Sequence, residues 1–267
     1  MYPNQPYLQS EDVSGLIDTH CHLDQERFAA RLPQVLEAAA AAGVTRFVVP
    51  GVHPRDWGRM AAIAQRHEGV YPAFGIHPMH ADTADDATLQ RLADLAPAGV
   101  AIGEIGLDPL YPISLDIQER AFREQLRLAS SLGLPVLVHC RRAFQRTLQI
   151  LGEEKAGRPG GIMHAFSGSV EMARQFIRLG FLISISGTVT WDNAVRPARL
   201  AGELPLECLV LETDAPDLTP QRFRGQPNQP AYLTEVLAAV ARIRGALPAD
   251  VAARTTQNAL TMFSLPA

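Results

Sequence analysis

The stretch Asp18-Thr19-His20-Cys21-His22-Leu23-Asp24 holds the densest chemistry in a sequence of 267 residues. It follows the apolar pair Leu16-Ile17, which reads as the end of a buried strand. Side chains alternate faces along a strand, so His20 and His22 point the same way. Two imidazoles on one face can hold one metal ion. The pair alone reads equally well as two polar residues satisfied by backbone groups. Further ligands at other strand ends decide between the two readings.

Such ligands are present. Glu104, His139, His164 and Asp214 each sit at or just after the end of a short apolar run. Eight such runs, rich in β-branched residues, cover 15–20, 44–50, 70–76, 100–105, 134–139, 161–164, 181–186 and 206–212. Helical patterns lie between and after them, at 32–42, 57–66, 88–95, 118–132, 147–152, 170–179, 232–244 and 249–262. Pro33 near the start and Gly43 after the end are helix start and stop signals for the first. This strand-then-helix rhythm predicts a parallel sheet, and eight units predict an α/β protein with a (β/α)₈ TIM barrel. An open doubly wound sheet would want a glycine-rich turn after the first strand. His-Cys-His-Leu-Asp stands there instead. We expect one barrel domain over 13–267, preceded by a polar tail over 1–12.

A barrel gathers the C-terminal ends of its strands into one ring, where active sites are built. His20, His22, Glu104, His139, His164 and Asp214 must therefore converge. Six ligands exceed one tetrahedral ion. They suit two divalent ions sharing a carboxylate. Lys155, the only lysine among 24 basic residues, lies off any strand end, so a carboxylated lysine cannot be that bridge. Glu104 takes the role. The expected sets are His20, His22, Glu104 and Asp214 for one ion, and Glu104, His139 and His164 for the other. Imidazoles favour Zn²⁺, Mn²⁺ or Fe²⁺ over Mg²⁺ in affinity, although affinity does not fix which ion a cell supplies.

Composition narrows the partners. The net charge of −4 gives no global basic field to draw the chain onto nucleic acid. No apolar run approaches the roughly 18 residues of a membrane span. The first ten residues lack the basic and apolar regions of a signal peptide, which predicts a cytoplasmic protein. Cys21, Cys140 and Cys208 cannot make a disulfide framework and read as packing thiols of a reducing compartment. Aromatic residues make up 6% of the chain, so no extended stacking platform for bases is evident.

Four segments now carry a family resemblance: residues 17–24 (IDTHCHLD), 103–108 (GEIGLD), 164–169 (HAFSGS) and 211–216 (LETDAP). In this order they resemble the signature segments of the TatD family of metal-dependent hydrolases and deoxyribonucleases. The segment 223–230 (FRGQPNQP) resembles its YjjV-type branch. The resemblance runs from about residue 15 to 263. It implies a TIM barrel, two divalent ions and 3′–5′ exonucleolytic hydrolysis of phosphodiesters on single-stranded DNA or RNA ends. The family's six metal positions fall on the six residues named above. One departure stands out. The family often has Ser/Thr-Arg-Asp-Ala after the fifth-strand histidine, whereas this chain has Cys140-Arg141-Arg142-Ala143.

The expected chemistry follows. Two cations lower the pKa of a water, and Asp214, with Glu104 the catalytic candidate, takes its proton as general base. Asp18, Asp24 and Asp108 either orient ligand imidazoles or cap strand ends. His77 resembles a family position beside the substrate phosphate, and Arg141 is the guanidinium for a phosphate contact. Arg142, Arg222 and Arg224 either extend a basic rim or are simply solvated. Ser167-Gly168-Ser169 either binds an anion through backbone N–H groups or caps the next helix. His53, His67 and His80 read as non-catalytic. The competing functions are a dimetal hydrolase of a small phosphoester, ester or amide, and a non-enzymatic metal-stabilised scaffold. An open barrel mouth with surplus ligands disfavours the scaffold, because structural zinc sites are closed. No obligate protein partner is evident, and a monomer is expected.

Overall fold

The computed structural model describes residues 15–266; the expected tail over 1–12 lies outside the described residues. Eight parallel strands run in sequence order around a nearly closed TIM barrel. They are β1 (Leu16–Asp18), β2 (Val44–Pro50), β3 (Val70–Phe74), β4 (Ala101–Leu107), β5 (Val136–Cys140), β6 (Gly161–Met163), β7 (Phe181–Ile185) and β8 (Leu209–Leu211). No ladder joins β8 to β1 among the described residues. Single bonds close that seam instead. Thr19 N donates to Leu211 O at 3.1 Å, Asp214 N to His20 O at 2.8 Å, and His22 N to Ala215 O at 2.8 Å.

The helices are α1 (Glu26–Ala29), α2 (Leu32–Ala41), α3 (Trp57–Arg66), α4 (Asp86–Leu95), α5 (Leu115–Leu132), α6 (Phe144–Glu153), α7 (Val170–Arg178), α8 (Val195–Glu203), α9 (Leu233–Arg244) and α10 (Pro248–Phe263). No described helix is long and apolar enough to cross a membrane. The main departures from the sequence reading are α1 and α8, which it lacks, and α5 and α6, which each begin three residues earlier than expected. α8, between β7 and β8, is unexpected: Pro197 in its first turn hides the pattern but costs little there, because that N–H has no intrahelical partner. α5 begins three residues early, because Ser114 accepts the Ile117 N–H and caps it. The eighth apolar run is also split. Leu206–Cys208 form a 3₁₀ turn, and only Leu209–Leu211 pair with β7.

The alternation of each strand divides the core in two. Phe47 and Val49 face the helices, whereas Val48 packs with Ile17, Ala73, Leu137, Ile162 and Val210 inside the barrel. Leu260 and Phe263 of α10 join that inner cluster. Apolar filling at this level leaves the C-terminal strand ends as the part of the barrel interior that carries polar side chains.

Candidate metal centre

Glu104 stands at the middle of the site because β4 is irregular there. The pairing of β4 with β5 shifts register between Ile102 and Ile105, which places Glu104 in a bulge. Bulges re-aim side chains, and this one turns Glu104 into the barrel. Three glycines permit it. Gly51 N donates to Gly103 O, and Glu104 N donates to Gly51 O, both at 2.9 Å. The end of β2 thus bonds to β4 over the end of β3, where Gly75 lies. A Cβ on Gly75 would stand 2.5 Å from the Gly103 carbonyl carbon.

The two Glu104 oxygens face different partners. Oε2 lies 3.2 Å from His20 Nε2 and 4.0 Å from His22 Nε2. Oε1 lies 2.8 Å from His139 Nδ1, 3.6 Å from His77 Nε2 and 3.8 Å from His164 Nε2. Asp214 Oδ1 completes the ring, at 3.5 Å from His22 Nε2 and 3.7 Å from Nε2 of both His20 and His164. Asp214 itself adopts a left-handed backbone conformation (φ 58°), unusual outside glycine but tolerated by aspartate. The structure therefore brings all six expected ligand residues together, and His77 with them.

Electrostatics reflects this crowding. Burial alone would raise the Glu104 carboxyl, but His20, His77, His164 and His139 hold it well below the usual range. Asp214 is likewise lowered, against burial, by His164, His22 and His20. Burial pulls His22 and His164 down, yet their carboxylate neighbours outweigh it. Asp214 and Glu104 carry His22 up to about 9, and Glu212, Asp214 and Glu104 carry His164 up to about 10. Burial and the nearby His164 lower His20.

The donor set fits a divalent cation. Both ring nitrogens of His20 and Nδ1 of His22 are buried with no hydrogen-bond partner. Such atoms cost about 1–3 kcal/mol each unless something fills the role. His20, His22 and Asp214 each place a donor atom within 4.8 Å of the others, and so do His77, Glu104 and His139. These groups are able to bind metal. The centre opens on one side: the His139 and Asp214 side chains keep 17% and 13% exposure, against 0% for His20.

The profile of a family described as "TatD related DNase" matches residues 17–264. The chain belongs to the TatD family. It is a metal-dependent hydrolase. The uncharacterized metal-dependent hydrolase YabD of Bacillus subtilis (strain 168) is 38% identical over 94% of this chain and 99% of its own length. The 3'-5' ssDNA/RNA exonuclease TatD of Cronobacter sakazakii is 37% identical over 93% and 96%. The crystal structure of YjjV, a TatD homolog from Escherichia coli K12, superposes with a TM-score of 0.87 at 35% identity, covering 94% of this chain and 98% of that one.

Within this TatD-family site, the other expected residues separate by position. Asp108 Oδ2 lies 3.0 Å from His139 Nε2, so this carboxylate fixes an imidazole. Asp18 does not. It accepts from Thr213 N at 2.9 Å and Thr213 Oγ1 at 2.5 Å, and so latches the β1–β8 seam. Burial raises its carboxyl to about 7 against the pull of those two bonds. Asp24 is buried beside His22, with Oδ1 unpartnered. Arg141 is exposed at the mouth, near Asp108 and Tyr111 rather than among the imidazoles. Ser169 accepts from Met172 N at 3.2 Å and caps α7. Cys21 and Cys140 are buried, and burial pushes Cys140 up to about 12. His53 and His80 pair with each other, ring centroids 4.4 Å apart, near the mouth.

Two residues escaped the sequence reading. Glu212, fully buried, accepts from Ala165 N at 2.8 Å and sets Oε1 3.0 Å from His164 Nδ1. Its spacing of two from Asp214 was the available signal, the same as that of His20 and His22. Tyr111, in the loop after β4, packs edge-on to His77 with centroids 5.5 Å apart. No motif marked it.

Proposed function

We propose that this chain is a two-metal phosphodiesterase that removes nucleotides 3′ to 5′ from single-stranded DNA or RNA ends. The carrying observation is the division of Glu104: one carboxylate oxygen toward His20 and His22, the other toward His139 and His164. A glutamate so placed would serve two ions, one through each side of its carboxylate. His20, His22, Asp214 and Glu104 Oε2 would hold the first, and Glu104 Oε1, His139 and His164 the second. Zn²⁺ or Mn²⁺ suits the imidazoles better than Mg²⁺. When bound, such ions lower the pKa of water and offset charge on phosphoryl oxygens.

The chain's own groups do the rest. Asp214 is held ionised by His164, His22 and His20, so it is ready to accept a proton from the attacking water. Its partial exposure lets that water approach. His77 is held neutral: burial takes its pKa down to about 3. Its Nδ1 accepts the Met79 N–H at 3.1 Å, so the ring proton sits on Nε2. That nitrogen is a donor. It serves a phosphate oxygen and not a metal, although it stands 3.6 Å from Glu104. Arg141 brings a charge to the mouth for the next phosphate. In this reading the enzyme works as a cytoplasmic monomer.

The Cronobacter relative, a 3'-5' ssDNA/RNA exonuclease by name, supports the nuclease reading. The test is a metal-replete assay of single-stranded oligonucleotides beside a panel of small phosphoesters, esters and amides. Stepwise release of mononucleotides from the 3′ end is expected. Turnover of a small substrate without nucleotide release under any divalent ion would replace the nuclease by a small-molecule dimetal hydrolase.

A further inference from the structure

The loops after β7 and β8 are bonded into one unit on the mouth side of the barrel. Gln221 N donates to Thr190 Oγ1 at 2.8 Å, and Trp191 Nε1 to Thr219 O at 2.9 Å. Gln221 Nε2 donates to Asp192 Oδ2 at 3.0 Å. The approach is close enough that a Cβ on Gly187 would stand 2.1 Å from Leu218 O. Buried Asn228 ties the far end of the second loop to the metal centre. Its Nδ2 donates to Thr213 O at 2.8 Å, one residue before Asp214, and to Asp217 O at 2.7 Å. The outer part of this unit is therefore held in register with Asp214.

What it carries outward is a pair of arginines on aromatic rings. The Arg224 guanidinium lies 5.1 Å over the Trp191 ring. Arg222 lies 5.3 Å over Phe223, whose ring stacks on Tyr232 with centroids 3.7 Å apart. The two cations differ in freedom. Arg222 is bonded to Glu235 Oε1 at 2.9 Å. Arg224 meets only the Gln221 amide oxygen, at 3.3 Å, and no described carboxylate pairs with it. Both arginines are exposed. Arg224 thus holds its guanidinium over the Trp191 ring with no described carboxylate to pair it, on the rim of the proposed phosphodiesterase centre. A guanidinium plane accepts a stacked base, and its N–H edge accepts a phosphate.

We propose that the Arg224–Trp191 cation–π pair, with Arg222 beside it, is a strand-binding subsite for the phosphate-and-base chain of single-stranded nucleic acid beyond the bond being cut. This rests on the nuclease reading above. It also supplies locally what the composition lacks globally: the chain is net acidic and poor in aromatics, yet two arginines and three aromatic rings meet on this one rim.

The test measures binding, so that it stands apart from turnover. Fluorescence anisotropy reports a labelled, phosphorothioate-linked oligothymidylate of about eight nucleotides on the metal-loaded protein, against a labelled dinucleotide. Affinity should rise with length in the wild type. Arg224→Gln should weaken the longer ligand by about tenfold and lower the slope of log affinity against log salt by about one. Trp191→Ala should weaken it too, without that change of slope, because it removes the platform and not a charge. Circular dichroism and retained metal content show that each variant is folded. Wild-type affinity and salt slope in Arg224→Gln, or a wild type that binds both lengths alike, would overturn the subsite even if oligonucleotides are hydrolysed. Length-dependent binding lost in the variants, with no hydrolysis by the wild type, would keep the subsite and remove the nuclease reading.

Discussion

Glu212 reaches from the end of β8 to stand 3.0 Å from Nδ1 of His164, and that contact leaves Nε2 of the same ring facing Glu104 and Asp214. A carboxylate behind an imidazole fixes the ring and raises its basicity toward a metal. Glu212 is buried and also holds the Ala165 N–H, so its position is set by the backbone next to His164. Glu212→Gln keeps the size and removes the charge. We expect roughly a 10–100-fold loss of divalent-ion affinity, with the fold intact. Calorimetric titration of metal into the metal-free protein checks it, and unchanged affinity would make Glu212 a backbone anchor only.

Gly75 makes a second prediction, because nothing near it is flexible. An added methyl would meet the carbon, oxygen and Cα of Gly103, all backbone atoms, at 2.5–2.8 Å. Gly103 cannot yield without moving Glu104, whose N–H is bonded to Gly51. Gly75→Ala should cost about 1–3 kcal/mol of stability, as overpacking does. It should also lower bound metal per chain, although Gly75 is no ligand. Thermal unfolding and elemental analysis give the two readouts. Full metal occupancy would show that the bulge relaxes elsewhere.

The parts of this architecture that were legible in the sequence rest on periodicity. Apolar runs such as 44–50 and helical stripes such as 57–66 express burial directly, and the structure returns both with the same bounds. Convergence of the six expected ligand residues followed from the barrel, since strand ends share one ring. The bulge at Glu104 was not legible, because a register shift arises between strands and leaves no period within one. Asp18 is the same case: its partner Thr213 is 195 residues away, so local sequence could not tell a seam latch from an imidazole clamp. Glu212 was hidden by its own strand, being read as the last residue of an apolar run. Arg224 on Trp191 was hidden by composition, which averages over a chain what the fold collects at one place.

Metal loading should tighten as pH rises. In the metal-free protein His22 and His164 titrate at about 9 and about 10, above the ordinary value of 6.5. A raised histidine pKa stabilises the fold fully below pH 6.5, and that contribution is lost as pH rises through 9 and 10. Ligand nitrogens must be unprotonated, so a cation entering near pH 7 displaces protons from both rings. Affinity should therefore climb with pH between about 7 and 9. Titration at pH 7.5 in buffers of different ionisation enthalpy counts the protons released. Release of none would mean that the free site is already neutral.

The carboxylate of Asp214 differs from that of Glu104 in a way that turnover can read. Glu104 is 3% exposed and offers separate oxygens to separate partners, so Glu104→Ala should lose at least one ion by elemental analysis. Asp214 is 13% exposed, and one oxygen alone, Oδ1, meets His20, His22 and His164. An asparagine there keeps an oxygen for those contacts but is no proton acceptor at neutral pH. Asp214→Asn should therefore retain most of the metal while kcat falls by about 10²–10⁴, the usual range for a general base. The loss should fall on kcat and leave KM near its wild-type value, because proton transfer and not binding is removed. Near wild-type kcat would take the base role from Asp214. Loss of metal in step with activity would make it a ligand and nothing more.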